Sequence, residues 1–309
     1  MRFERNPYRE LPDGTIAKVF PFHLSLEGLE TRILCRDEDD YDSVVKILAV
    51  CAKRKNVILV TYAVVSNHAH SVFLAASESG ASDFGLEVKR MISMYFCRKY
   101  HDKAVMAGID SKAIFIDSDW YLRNAIAYDI RNAMDNGEGI QTYKWTGYRA
   151  LFRKGRLPDG GTPVRSLSKR DKRTLLRTDD DLSGVGWVLN SDKELEPVTI
   201  CDWRYAEASF NDDQAFFMKV LGCTNTAEMD QKLVVAPRIR QKDDELLRNI
   251  NDICQRWFKK EAHDLPIEKK LRVLPYVFRS CRTSTAQLAR AFELERAVVE
   301  KVIGRQSCD

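Results

Sequence analysis

The residues best equipped for chemistry stand together at Asn67-His68-Ala69-His70, inside Ser66-Asn67-His68-Ala69-His70-Ser71-Val72-Phe73-Leu74. Side chains alternate between the two faces of a strand, so His68 and His70 project from one side while Ala69 faces away. Two imidazole nitrogens on one face can be offered to a single metal ion. Two histidines do not complete a metal site, and a pair of surface or hydrogen-bonded histidines is the other reading this spacing leaves open.

These residues need a sheet to hold them. Residues 17–26 alternate in part, with Pro21 marking an edge or interrupted strand, and a second strand is expected over Thr31–Cys35. The acidic block Asp37-Glu38-Asp39-Asp40 with Asp42 suits the positive end of a helix dipole. After it, Tyr41, Val44, Val45, Ile47, Leu48 and Cys51 form an apolar stripe, and Lys53-Arg54-Lys55 suits the other end. Val57–Val65 reads as a β-branched strand, Ser66-Asn67 as a turn, and His68–Leu74 as the partner strand of a hairpin. Helices follow over about Ser82–Tyr100 and Ser118–Met134, the second capped by Ser118 or Asp119 and closed by Asn136-Gly137. The order predicts an α+β fold: an antiparallel sheet covered by helices, then a mainly helical C-terminal region.

Several motifs carry a resemblance. Phe22-His23-Leu24, Asp39-Asp40-Tyr41 and Tyr62-Ala63-Val64-Val65-Ser66-Asn67-His68-Ala69-His70-Ser71-Val72 open it. Leu86-Glu87-Val88-Lys89-Arg90 with Tyr95-Phe96-Cys97-Arg98-Lys99-Tyr100 continues it. Ala127-Tyr128-Asp129-Ile130-Arg131-Asn132-Ala133 and Lys144-Trp145-Thr146-Gly147-Tyr148-Arg149 complete it. Over about its first 150 residues the chain resembles the single-tyrosine transposases of small insertion sequences, especially those associated with repetitive extragenic palindromes.

That resemblance implies a ferredoxin-like HUH nuclease domain over 1–155. It implies Mg2+ or Mn2+ held by His68, His70 and Asn132, and Tyr128 attacking a phosphodiester of single-stranded hairpin DNA through a 5′-phosphotyrosine intermediate. Tyr128 and Asn132, four apart, lie on one helical face, in agreement with a shared site. A phenol with a pKa near 10 needs such help to act near neutral pH. Tyr95, Tyr100 and Tyr121 are rival nucleophiles, none with an amide four residues on. His23 matches a histidine common near the family's first strand and is read as structural or near the site. The chain departs from the family at Asn132-Ala133, where Asn-Pro is frequent, at the small Ala69, and at Trp145-Thr146-Gly147-Tyr148, expected to close the domain against the sheet. A homodimer is a further implication.

With 309 residues, 44% apolar and 30% charged, the chain has material for a core and about two domains, which excludes a disordered or fibrous class. Forty-nine basic against 45 acidic side chains give a net charge of +4, too mild to announce a nucleic-acid binder. Phosphate contacts are therefore sought locally, at Lys89, Arg90, Arg98, Lys99 and Arg131. A linker is expected at 156–175, within a run from 153 to 173 that carries eight basic side chains against Asp159 and Asp171. A helical region at 176–309 should follow, with helices over Trp203–Leu221 and Asp244–Lys260. Its tail, 267–303, resembles a helix-turn-helix: Ala289 at the crossing, Leu288, Leu294, Val299 and Val302 inside, Glu293 where a turn glycine is usual, and Arg296 and Lys301 as DNA contacts beside Glu295 and Glu300. No apolar stretch approaches the roughly 20 residues that cross a bilayer, and the eight separated cysteines show no CxxC pair, so a cytoplasmic protein with reduced thiols is expected. Two other functions fit parts of this pattern: a catalytically silent DNA-binding regulator derived from such a transposase, and an RNA-binding module.

Overall fold

A computed structural model describes residues 7–27, 34–65, 68–101, 110–135, 139–153, 160–223, 243–280, 283 and 285–304. The chain divides into two compact units, Met1–Val234 and Val235–Asp309. It has a mixed α/β architecture, with an N-terminal sheet and its helices followed by a mainly helical C-terminal region.

A small hairpin, β1 (Tyr8–Glu10) and β2 (Ile16–Lys18), precedes the main sheet of β3 (Phe20–Glu27), β4 (Ile58–Val64), β5 (Ala69–Ala75) and β6 (Asp110–Phe115). Spatial order is β4-β5-β3-β6, and every neighbouring pair is antiparallel. Helices α1 (Glu38–Arg54), α2 (Glu78–Tyr100) and α3 (Asp119–Asp135) alternate with the strands. Strand alternation sorts the faces. Phe22, Leu24 and Leu26 of β3 and Phe73 of β5 enter a core with Val44, Ile47, Leu48 and Cys51 of α1 and Phe84, Val88 and Phe96 of α2. His23 and Ser25 of β3, opposite Val72 and His70 of β5, take the other face, which α3 covers.

Local chemistry sets the helix ends. Asp37 caps α1 by accepting from the backbone N–H of Asp40 at 3.0 Å, and Glu38, Asp39 and Asp40 occupy the first turn. Helix α2 begins at Glu78, four residues before the expected start, because Ser77 accepts from Gly80 N–H at 3.1 Å and turns a Ser/Gly stretch into a first turn. Ser118 Oγ accepts from Tyr121 N–H at 3.2 Å before α3, as the sequence reading requires. The expected closure at Asn136-Gly137, the turn at Ser66-Asn67 and residues 31–33 of the expected second strand lie outside the described residues. Leu34 and Cys35 are buried but not in a strand. Edge strand β6 was not expected: Asp110-Ser-Lys-Ala-Ile-Phe lacks a β-branched run, and the strand exists by pairing with β3.

The expected linker holds structure. Within 162–176, Thr162–Pro163 forms β7, which pairs with β8 (Val188–Leu189), and Lys169–Leu176 forms α4. Val164 and Leu176 are buried in the same core as α1 and α2, together with Leu182, Trp187 and Leu189. Two isolated apolar anchors in a polar run thus tie down a segment whose composition alone reads as linker. Short α5 (Pro197–Ile200), α6 (Trp203–Ser209) and α7 (Gln214–Cys223) complete the described part of this unit. The continuous helix expected over 203–221 is broken where Asn211 and Asp212 take left-handed φ values of 56° and 57°.

Trp145 stacks on Tyr41 at 4.3 Å between ring centroids, and its carbonyl accepts from Val64 N–H at 2.9 Å. A Cβ on Gly147 would stand 2.5 Å from Thr61 Oγ1, so glycine stands where the backbone meets β4 closely. Both observations fit a segment that closes the sheet edge.

The second unit contains α8 (Asp243–Phe258), α9 (Ile267–Ser280), α10 (Thr285–Phe292) and α11 (Arg296–Gly304). Leu288 and Val299 are buried in its core, with Ala289, Leu294 and Val302 packed partly against it. Glu293 adopts φ 53°, the left-handed position for which glycine is the usual residue. Among the described residues no helix is long and apolar enough to cross a membrane, and the six described cysteines are free thiols.

Candidate functional site

The antiparallel β4–β5 hairpin carries His70 opposite Ala63, while Val65 N–H donates to His68 C=O at 3.0 Å just before β5 begins. Two residues of β spacing turn both rings to the α3 face, with ring centroids 4.7 Å apart. From α3, Asn132 extends its Oδ1 to 3.1 Å from His68 Nε2. Its Nδ2 donates to the carbonyl of Tyr128, one turn earlier, at 2.9 Å, which fixes the amide with its oxygen toward the histidine. The Tyr128 ring meets His70 edge to face at 5.1 Å between centroids. Four residues from two distant segments therefore share one site. Tyr95 and Tyr100 are held elsewhere, donating to Asp40 at 2.8 and 2.7 Å, whereas Tyr121 is buried on α3 two turns before Tyr128, and burial pushes its phenol up to about 12.

His23 lies beneath this group, fully buried. Its ring is 5.5 Å from His70 and 6.0 Å from Tyr128 between centroids, and its Nε2 is 3.0 Å from Asp129 Oδ1. The other oxygen of Asp129 accepts from Val72 N–H at 3.2 Å, so one carboxylate bridges two strands to α3. Burial pushes the Asp129 carboxyl above its ordinary value, opposed by His23 and by the Val72 hydrogen bond. From the sequence His23 is expected to be structural or near the site, whereas Asp129 carries no expected role. The available signal was an acid embedded in the apolar helix run Ala125-Ile126-Ala127-Tyr128-Asp129-Ile130, since a carboxylate fully buried there needs a partner.

The chain matches no family model, no curated protein and no solved structure.

The donor chemistry suits a hard or borderline cation: two imidazoles and an amide oxygen. At 3.1 Å the protonated His68 Nε2 donates a hydrogen bond to Asn132 Oδ1. Loss of that proton would free both atoms to serve as ligands to one ion.

A second donor group lies at the start of α1, where one oxygen each from Asp37, Asp39 and Asp40 falls within 4.8 Å of the others. Its carboxylates could coordinate a divalent metal, but a cation is already there. Lys99 Nζ sits 2.7 Å from Asp37, 3.1 Å from Asp39 and 2.7 Å from Asp40. Despite burial, these hydrogen bonds hold the ammonium far above its ordinary value and Asp40 below its own. Lys99 is thus a counter-ion to all three aspartates.

The remaining candidates divide similarly. Arg90 pairs with Glu87 at 2.7 Å, and Arg131 donates to Leu221 C=O at 3.1 Å. Arg296 pairs with Glu300 at 2.7 Å. Arg98 and Lys301 are exposed, and Lys89 is half-buried.

Proposed function

We propose that this chain is a metal-dependent nuclease and strand transferase for single-stranded DNA, of the HUH type, with Tyr128 as its nucleophile. The observation that carries the proposal is the meeting of His68, His70, Tyr128 and Asn132 in one site. The strand order β4-β5-β3-β6 with all neighbours antiparallel supports the ferredoxin-like domain that the reading requires. Mg2+ or Mn2+ on His68, His70 and Asn132 would supply charge neutralisation at the phosphate.

The protein's part is placement. Tyr128 Oη attacks phosphorus, the P–O3′ bond breaks, and the departing 3′ oxygen takes up a proton as the phenol loses its own. A 5′-phosphotyrosine and a free 3′-hydroxyl result, and attack by a new 3′-hydroxyl reverses the step and rejoins DNA without ATP. His23 and Asp129 fix the floor on which the Tyr128 and His70 rings rest. Hairpin DNA is the proposed substrate, with Arg98 and Lys89 of α2 as the backbone contacts left by the ion pairing. Helices α9 to α11 support a helix-turn-helix reading in which Lys301 is the stronger contact, because Arg296 is engaged by Glu300.

A second reading rests on Tyr128 being only 7% exposed: a silent DNA-binding regulator would keep this ring as packing. Incubation with Mn2+ and labelled single-stranded hairpins from the gene's flanks separates the two. The nuclease gives a protein–DNA adduct on a denaturing gel that maps to Tyr128 and vanishes in Tyr128→Phe and, through loss of a metal ligand, drops at least a hundredfold in His68→Ala. A folded wild type that binds these hairpins without any adduct establishes the regulator instead.

A further inference from the structure

The second unit closes its core with Leu246, Ile250, Ile253 and Cys254 of α8 and Val273, Leu274 and Val277 of α9, yet leaves two large aromatic rings outside it. Trp257, at the end of α8, is 45% exposed, and Tyr276 of α9 is 43% exposed. The rings lie against each other, 5.0 Å between centroids with planes at 49°. Phe258 sits beside them, half-buried, 6.1 Å from Trp257.

Cations frame this pair. Lys269 Nζ lies 5.1 Å from the centroid of the Phe258 ring. Lys269 and Tyr276 each touch the end of α8, which fixes the side of α9 that faces it. Arg272 lies between them at helical spacing and is exposed. Lys259 and Lys260 follow directly on α8, the first in a left-handed conformation with φ 59° that ends the helix. The neighbouring acids are turned away or engaged. Glu261 and Asp264 flank His263 at 3.5 and 3.2 Å, and Glu268 is rotated about 100° around α9 from Lys269.

We propose that Trp257 and Tyr276 form a stacking platform for unpaired bases of a single-stranded nucleic acid, with Lys269 and Arg272 reaching its phosphates. Aromatic faces accept any unpaired base, whereas bases inside a duplex are already stacked. Lysine is depleted where proteins bury one another, so a lysine-framed aromatic pair fits a polyanion better than a protein partner. The platform stands on its own observations and needs neither the histidine site nor a metal.

The test is fluorescence anisotropy of the full chain in EDTA with labelled oligo-dT and oligo-U of about 12 nucleotides, within the usual range of single-strand site sizes. A duplex of equal length provides the comparison. Trp257→Ala and Tyr276→Ala should each weaken single-strand binding about tenfold, Trp257→Phe should keep most of it, and Leu247→Ala, an exposed change elsewhere on α8, should leave it unaltered. Lys269→Ala with Arg272→Ala should reduce the salt dependence of binding. The dT and U arms tell whether DNA or RNA is preferred. Wild-type affinity in both aromatic variants with native circular dichroism, equal losses on duplex and single strand, or failure of the wild type to bind either oligomer would overturn the proposal. Because this binding is read in EDTA and adduct formation is read separately with Mn2+ on a denaturing gel, failure of the platform and failure of the nuclease reading remain distinguishable.

Discussion

Two polar clusters lie on opposite faces of the same sheet, and they differ in what balances them. On the α3 face, His68, His70 and Asn132 are donors that carry no formal charge when the imidazoles are neutral. Toward α1 and α2, Asp37, Asp39 and Asp40 supply more charge in a comparable space, but Lys99 fills their centre at 2.7 to 3.1 Å. Ligand-type atoms in proximity therefore do not distinguish a metal site from an ion-paired brace. The distinguishing feature is whether the protein has already supplied the cation.

The sharpest way to break this contrast inside the fold is to remove the built-in cation. Lys99→Met leaves the fully buried Asp40 facing two further carboxylates, and a lost partner of a buried charge pair costs roughly 3 kcal/mol. Urea unfolding should show that loss, and millimolar Ca2+ or Mg2+ should restore part of it, stabilising the variant more than the wild type. Equal stability of wild type and Lys99→Met would mean that the cluster does not brace α1 against α2.

Acid provides a smaller probe. Hydrogen bonding from Arg90, working against burial and helped by Arg54, holds the Glu87 carboxyl down to about 2 from an ordinary value of 4.5. Its folded value is depressed, so the stability it contributes is complete above about 4.5 and is lost as pH falls toward 2. With Arg90 largely exposed, solvent screening reduces the contribution to roughly 1 to 2 kcal/mol. Glu87→Gln should be less stable at neutral pH by about this amount and should flatten the stability profile across that window. An unchanged acid profile would place the acid-sensitive group elsewhere.

Much of the site was legible because it depends on local periods. The β spacing of His68 and His70 and the helical spacing of Tyr128 and Asn132 each fix a shared face before any tertiary contact is known. What brings the two faces together is the sheet order, which depends on edge strand β6 and on α3 crossing β4 and β5, and neither has a strong local signal. Asp129 was missed for a related reason: a buried acid gains meaning only when His23, 106 residues away, is found beside it. The segment 162–176 misleads in the opposite direction, since its Gly, Pro and charge resemble a linker while Val164 and Leu176 anchor it in the core. In the second unit, the helical tail expected over 267–303 is found as α9, α10 and α11, and Glu293 takes the turn position where glycine would ordinarily be expected.

Mn2+ titration by isothermal calorimetry tests the contrast between the two clusters most directly, using the full wild-type chain, His68→Ala with His70→Ala, and Asp37→Asn with Asp39→Asn. One Mn2+ per chain should bind the wild type and the aspartate variant alike, and binding should vanish from the histidine variant while its circular dichroism stays native. Retained binding without the histidines, or binding lost only with the aspartates, would contradict the assignment of the metal site to the α3 face.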